Sequence, residues 1–246
     1  GLERAHEIGL RRKIIQRLYI GRKVKKKGIV ETLEEFATPV IEEAIDTYCR
    51  DTWSRVLREK VYRTTVDLVT PHLNAFEVED EILFLASDGN KEIVVHYLVS
   101  FALLCFHLTA VSVKRHSSDQ GRRRLAHPVI PLNRVTRLVS KAYNVSPEGI
   151  ARALEDQTLS LPVANYLSIV ETPYISVSSD SVVAFDIFLN TNWASSVRKS
   201  LLRNHPLTGI IGPIWENYLE FEFESFGWHV IKKRKKIKRQ KQTLTD

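Results

Sequence analysis

Residues 93–113, IVVHYLVSFALLCFHLTAVSV, run for 21 positions without a formally charged side chain. A stretch that is apolar all round leaves two arrangements: a helix across a bilayer, or a helix at the centre of a bundle. Its length reaches the roughly 20 residues that a span requires. It also contains His96, His107, Ser100, Thr109 and Ser112, which need partners in an apolar medium, and the chain has no second such segment. Burial among neighbouring helices satisfies the same pattern. A central core helix is therefore the expectation, and a membrane is not expected as a partner.

Such a helix needs others to cover it. Residues 2–26 read as an amphipathic helix, with Ala5, Ile8, Ile14, Ile15 and Leu18 near one face and Arg11, Arg12, Lys13, Arg17, Arg22 and Lys23 on the other, ended by Gly28. Thr32 with Glu35 resembles a capping box. Thr38 as N-cap and Pro39 at the first helical position then predict a fresh helix start. From there Ile41, Ala44, Ile45, Tyr48, Cys49, Trp53, Val56 and Leu57 keep helical spacing in one run. Residues 61–73 continue it, with Pro71 marking the end. A turn at 87–90 precedes the apolar segment, and the polar, basic residues 114–124 read as a loop.

Pro128 and Pro131 open a different unit. Residues 132–143 are helical in pattern, 144–146 turn, and 147–154 form a second helix with Ser146 as N-cap and Pro147 behind it. Two β-rich runs, 174–177 and 182–185, flank Ser178-Ser179-Asp180-Ser181 as a hairpin would. Helix, tight turn, helix, hairpin is the order of a winged helix. A helix over 193–203 follows, stopped by Asn204-His205-Pro206. After Gly212-Pro213 comes a helix over 214–226, then Gly227 and the strand-like 228–231. The expected fold is mainly α with a small α+β part. It comprises a helical domain over 1–125, a winged-helix-like unit over 126–190, and over 191–246 a helix plus basic strand that starts an α/β element.

The formal charge of +7 is unevenly spread. Residues 232–241, KKRKKIKRQK, hold eight basic side chains and no acid, and residues 11–27 hold nine and no acid. Without the C-terminal run the remaining charge is −1. Two concentrated basic runs point to a polyanion, most simply nucleic acid, with DNA favoured over RNA. Phosphate contacts are expected from Arg11, Arg12, Lys13, Lys25, Lys26 and Lys27, and from Lys232, Lys233, Arg234, Lys235, Lys236, Lys238 and Arg239. The C-terminal run also suits a nuclear-import address or a solvated strand. In the helix-turn-helix-like segment a second helix would enter the major groove with Glu148, Gly149 and Arg152 leading, followed by Glu155 and Asp156. One arginine among three acids fits a phosphate-lined groove poorly, so a packing or protein-contact role competes. Arg134, Arg137 and Lys141 on the preceding helix are better placed for phosphates.

Other chemistry finds no template. The two cysteines, Cys49 and Cys105, form neither a CxxC pair nor a zinc cluster, and a reducing compartment suits them. No GxSxG, P-loop, GxGxxG or HExxH pattern occurs. His96 and His107, eleven residues apart, share a helix face and read as interior histidines. The first residues lack the apolar core of a secretory signal, which gives a cytoplasmic expectation, or a nuclear one in a eukaryote.

The segment Ile211-Gly-Pro-Ile-Trp-Glu-Asn-Tyr-Leu-Glu-Phe-Glu-Phe-Glu-Ser-Phe-Gly-Trp-His-Val-Ile resembles the entry to the core of the PD-(D/E)XK nuclease superfamily. In that family a helix carrying a glutamate leads through a Gly-aromatic step into the first strand. The resemblance implies that Glu216 or Glu220 matches the helix glutamate and residues 228–231 the first strand. It places Asp246 at the first metal-binding aspartate, for Mg²⁺, in metal-dependent phosphodiester hydrolysis. The strand bearing Glu-x-Lys would lie past Asp246, so the chain would be the N-terminal part of such an enzyme. The match covers about 35 of 246 residues. The same residues also suit a docking helix, with Trp215, Tyr218, Leu219, Phe221, Phe223 and Phe226 on its apolar side and Glu216, Glu220, Glu222 and Glu224 on a solvated one. In that case the chain is a non-enzymatic helical scaffold that binds protein partners, with the wing-like unit as a contact surface.

Overall fold

A computed structural model describes residues 29–49, 53–74, 90–118, 125, 127–159, 172–184, 192–203 and 205–228. Its elements are α1 (Ile29–Tyr48), α2 (Arg55–Asn74), α3 (Lys91–His116), β1 (Val129–Pro131), α4 (Leu132–Ala142), α5 (Pro147–Gln157), β2 (Thr158–Leu159), β3 (Tyr174–Ser178), β4 (Ser181–Ala184), α6 (Trp193–Arg203) and α7 (His205–Ser225). The fold is mainly helical with one small mixed sheet, as the sequence patterning predicts. The amphipathic helix expected over 2–26 lies outside the described residues.

The uncharged segment is α3, and it is the axis of the fold. Every residue from 93 to 110 is buried, because α1, α2, α4, α5, α6 and β1 all pack against it. Its hydroxyls are satisfied within the helix: Thr109 donates to the Cys105 carbonyl (2.8 Å) and Ser112 to that of Leu108 (2.9 Å). Asn90 caps the start by accepting from the Glu92 N–H at 3.0 Å. Lys114, Arg115 and His116 complement the dipole at the other end, so the helix runs three residues into the expected loop.

Four expected boundaries move, three of them because an apolar stripe overrides a local signal. α1 begins at Ile29 and continues through Pro39, so Thr32 is inside the helix and Thr38 is not an N-cap. Leu33, Phe36, Ala37, Val40, Ile41, Ala44 and Ile45 are buried on both sides of the proline, and their burial outweighs the missing Pro39 N–H. That proline is exposed, where water can serve the Glu35 carbonyl it leaves without a helical donor. Pro39→Ala restores the bond, and its expected effect is a gain of about 1–2 kcal/mol, less than the full helix-interior penalty because the unfolded chain also gains freedom. A higher urea midpoint at unchanged m-value checks it.

The second shift concerns the run from Ile41 to Leu57, which breaks after Tyr48. Ser54 caps α2, its Oγ accepting from the Leu57 N–H at 3.3 Å, and Val56 faces solvent. At the far end α2 passes Pro71 to reach Asn74, keeping Leu73 buried. Last, α7 starts at His205 and crosses Gly212 and Pro213 without a break, because Leu207 and Ile211 are buried and Ile214 packs beside them. Pro206, one position inside the helix, lacks an N–H that would be orphaned there anyway.

After α3 the chain runs β1, α4, α5, β2, β3, β4, so two helices precede the hairpin as the sequence order predicts. The hairpin appears within a residue of its expected ends. β4 pairs antiparallel with both β3 (Ile175↔Val183) and β1 (Ile130↔Val182), giving the order β1-β4-β3-β2. β1 and the two-residue β2, parallel to β3, carried no strand signal strong enough to name them. Tyr48 ties α1 to this sheet, its hydroxyl donating to the Val129 carbonyl at 3.0 Å while its ring meets Phe106 edge-on. The buried apolar cluster is continuous from Leu33 to Ile211.

Candidate nucleic-acid interface

Four of the basic residues expected to meet phosphates are described, and three of them already hold carboxylates. On α4, Arg134 and Arg137 grip the two oxygens of Glu43 from α1, Nη1 to Oε1 at 2.5 Å and Nη2 to Oε2 at 2.6 Å. Glu43 is 17% exposed, so this fork pins α4 to α1, and its one carboxylate offsets one of the two guanidinium charges. Arg152 on α5 reaches Glu92 on α3 at 2.9 Å. Lys141 stands exposed in the last turn of α4.

The face that a recognition helix would present consists of Glu148, Ala151, Arg152 and Glu155. Ser146 caps α5, its Oγ accepting from the Gly149 N–H at 3.3 Å. The Glu148 carboxyl is held below the usual carboxylate range, first by its own backbone N–H and then by the Ser146 hydroxyl. A fixed negative charge therefore sits at the end of the helix that would approach the bases. The wing turn is equally unsuited to phosphate. Asp180 Oδ1 accepts from the hydroxyls of Ser178 (3.1 Å) and Ser179 (3.0 Å), and the turn has no cation. Among the described residues, the exposed face of α5 and this turn are both net acidic, unlike the surface of a duplex reader.

One polar cluster was beyond sequence reasoning. His96 is fully buried, with Nδ1 2.7 Å from the Glu92 carbonyl and Nε2 2.8 Å from Asp156 Oδ2 on α5. The Glu92 carbonyl can only accept, so Nδ1–H donates to it, and Nε2 faces the carboxylate. Ser200 of α6 donates to the Asp156 carbonyl at 3.1 Å, so this junction ties three helices together. Burial excludes a substrate from the ring. Burial also pushes the Cys49 thiol up to about 11, Arg58 opposing, and raises that of Cys105 further, so neither is a nucleophile at neutral pH. Between α1 and α2 opens a cleft of about 570 Å³, with Glu42 and Asp46 facing Arg55 and Arg58. Its mixed charges give no net pull on an anion.

The nuclease resemblance falls on α7. Glu216 and Glu220 lie one turn apart in its C-terminal half, Glu216 exposed and Glu220 half-buried. Among the described residues no three His, Cys, Asp or Glu side chains converge to hold a metal ion. Asp246 lies outside the described residues, as do Arg11, Arg12, Lys13, Lys25, Lys26 and Lys27 and the run from Lys232 to Arg239. The described acids alone do not make a Mg²⁺ site, and no step through that ion is derived. Past Ile214 no described side chain of α7 is buried, and its described apolar residues face outward: Leu219, Phe223, then Phe226 beyond the helix end. The helix stops where Gly227 adopts φ +80°, with the Gly227 N–H bonded to the Glu224 carbonyl and the Trp228 N–H to that of Phe223, both at 3.0 Å. Only glycine takes this left-handed position without strain.

No family model, curated protein or solved structure matches this chain. Function has to be argued from the residues themselves.

Proposed function

We propose that this chain is a nucleic-acid-binding protein that makes its phosphate contacts through its two basic runs, and that α7 opens a metal-dependent nuclease core of the PD-(D/E)XK kind. The observation that carries the first part is the segregation of charge. The formal +7 is +17 in residues 11–27 and 232–241 and −10 in the remainder. An acidic body repels a polyanion, and its α4 arginines are tied to Glu43, so binding energy has to come from the two runs. The winged-helix-like unit then packs and orients rather than reads bases. The second part rests on the junction of α7, left-handed Gly227 and Trp228, which supplies the helix, glycine and aromatic step of that family.

A scaffold role is favoured by one specific feature: the α5 face and the wing turn offer carboxylates and serines, which suit a basic protein partner better than DNA.

The test is fluorescence anisotropy with labelled DNA across a salt series. It compares the full chain with a variant in which Lys232, Lys233, Arg234, Lys235, Lys236, Lys238 and Arg239 are glutamine. The expected result is a tenfold or greater loss of affinity, with the slope of log affinity against log salt shrinking by several units, since each neutralised phosphate contributes about 0.7–0.9. Absence of binding by the full chain at low salt would sink the reading and leave the scaffold. For the nuclease part the expectation is Mg²⁺-dependent cleavage by a longer gene product that carries the Glu-x-Lys strand past Asp246, abolished there by Glu216→Gln or Glu220→Gln.

A further inference from the structure

One face of α7 repeats as a coiled-coil seam does. Gly209, Gly212, Glu216, Leu219, Phe223 and, just past the helix end, Phe226 follow one another at alternating steps of three and four residues. That spacing keeps side chains in line along a helix. The face lies opposite Leu207 and Ile211, the buried residues that join α7 to the core. Its large side chains point at water: Leu219 is 36% exposed, Phe223 51% and Phe226 74%. At Gly209 and Gly212 no atom stands within 4 Å of where a β-carbon would be. The face is therefore hollow in its first half and bulky in its second.

An antiparallel copy of the same face fills it. Reversed alongside itself, the face sets Phe226 of one copy against Gly209 of the other and Phe223 against Gly212, with Glu216 beside Leu219 at the centre. Each contact then occurs twice about one two-fold axis, so the assembly closes at two chains. A parallel copy would set ring on ring and leave both hollows empty. Charge selects the same arrangement. From Pro206 to Ser225 the helix has no lysine or arginine, and Glu216, Glu220 and Glu224 make its second half acidic. The end of α6 presents Lys199 and Arg203 to solvent. Thr208 donates to the Leu202 carbonyl at 2.9 Å, which holds that basic end beside the hollow half of the face. In the antiparallel pair the acidic half of each α7 comes over the basic end of the other copy's α6, whereas a parallel pair brings acid to acid. We propose that this face of α7 is the interface of an isologous homodimer, in which Phe223 and Phe226 of each copy fill the glycine hollows of the other. The seam is about 26 Å long at 1.5 Å per residue, and the two Glu216 side chains approach near the axis. Association is therefore weak, in the range of small, transient interfaces.

The test is sedimentation equilibrium of the full chain with no nucleic acid present, so that its outcome is independent of the binding reading above. The expected result is a monomer–dimer equilibrium with a dissociation constant of about 1–100 μM. Gly212→Leu fills one hollow. Nothing in the single chain meets a side chain there, so helicity is retained by circular dichroism while dimer affinity falls about tenfold or more. Phe223→Ser removes the facing ring, with the same expected loss. A second arm uses the charge reversals K199E and E224K. Either variant alone sets like charges together on both sides of the axis, and its dimer weakens about threefold or more. Mixed in equal amounts, the two form a heterodimer in which both pairs are again opposite in sign, and affinity returns to that of the unaltered chain. A chain that stays monomeric at about 200 μM overturns the proposal. So does a dimer indifferent to both Gly212→Leu and Phe223→Ser, which would lie on another surface. A mixture no tighter than its separate variants overturns the antiparallel arrangement.

Discussion

Replacing Phe101 with alanine is expected to cost about 3–5 kcal/mol of stability, the range for removing a buried aromatic ring. Phe101 is fully buried in the middle of α3. Its ring centroid lies 5.4 Å from that of Trp193, which begins α6, and Tyr97 meets the same indole edge-on at 6.3 Å. The Trp193 Nε1–H donates in turn to the His72 carbonyl on α2 at 3.3 Å. The ring thus stands where α3 and α6 meet beside α2. Its removal leaves a hole that no neighbour can fill without moving a helix. In a domain of this size the loss corresponds to a fall in melting temperature of roughly 10 °C. Phe101→Leu keeps most of the volume and is expected to cost about 1–2 kcal/mol. A loss under about 1 kcal/mol for the alanine variant, by urea unfolding, would mean that α3 is not the axis on which the other helices depend.

The same helix marks how far the sequence could be read. An uncharged run of 21 residues leaves so few arrangements that its central place followed directly, and the structure puts it there. The α6 ends and the wing hairpin were legible for a related reason: Trp193, Ser178 to Ser181 and their apolar neighbours give local and tertiary signals that agree. Prolines misled. Pro39, Pro71 and Pro213 each read as a boundary, and each lies inside a helix, because buried residues before and after it outweigh one missing hydrogen bond. A breaker rule weighs the single residue, whereas the fold weighs the whole stripe. The short strands β1 and β2 failed for the opposite reason, since three and two residues are too few to show a period.

Pairing across the chain was the part no pattern could supply. Arg134 and Arg137 were rightly placed on one face of a helix, but their carboxylate is about 90 residues earlier, on α1. Their reading as phosphate ligands took no account of Glu43, which no local rule connects to them. The aromatics of α7 show a related limit. Spacing identified Phe223 and Phe226 as one apolar side, yet spacing cannot say whether that side meets a core or water. Phe223 and Phe226 meet water, at 51% and 74% exposure.

The His96–Asp156 pair carries the second large prediction, and its asymmetry makes it specific. The His96 side chain has no exposure, while that of Asp156 is 30% exposed. Asp156→Ala therefore leaves a buried imidazole nitrogen with nothing to bond, and is expected to cost about 3 kcal/mol. His96→Leu removes the ring instead. The Asp156 carboxylate can then turn toward water, and leucine fills much of the space, so about 1–2 kcal/mol is expected. The double variant H96L/D156A has neither an orphaned ring nor an orphaned carboxylate. Its cost should fall well below the sum of the two single changes, by roughly 1.5–3 kcal/mol of coupling. Urea unfolding of the four proteins measures that coupling. Strict additivity would show that the 2.8 Å contact contributes nothing to joining α3 with α5, and that the buried histidine is satisfied by the Glu92 carbonyl alone.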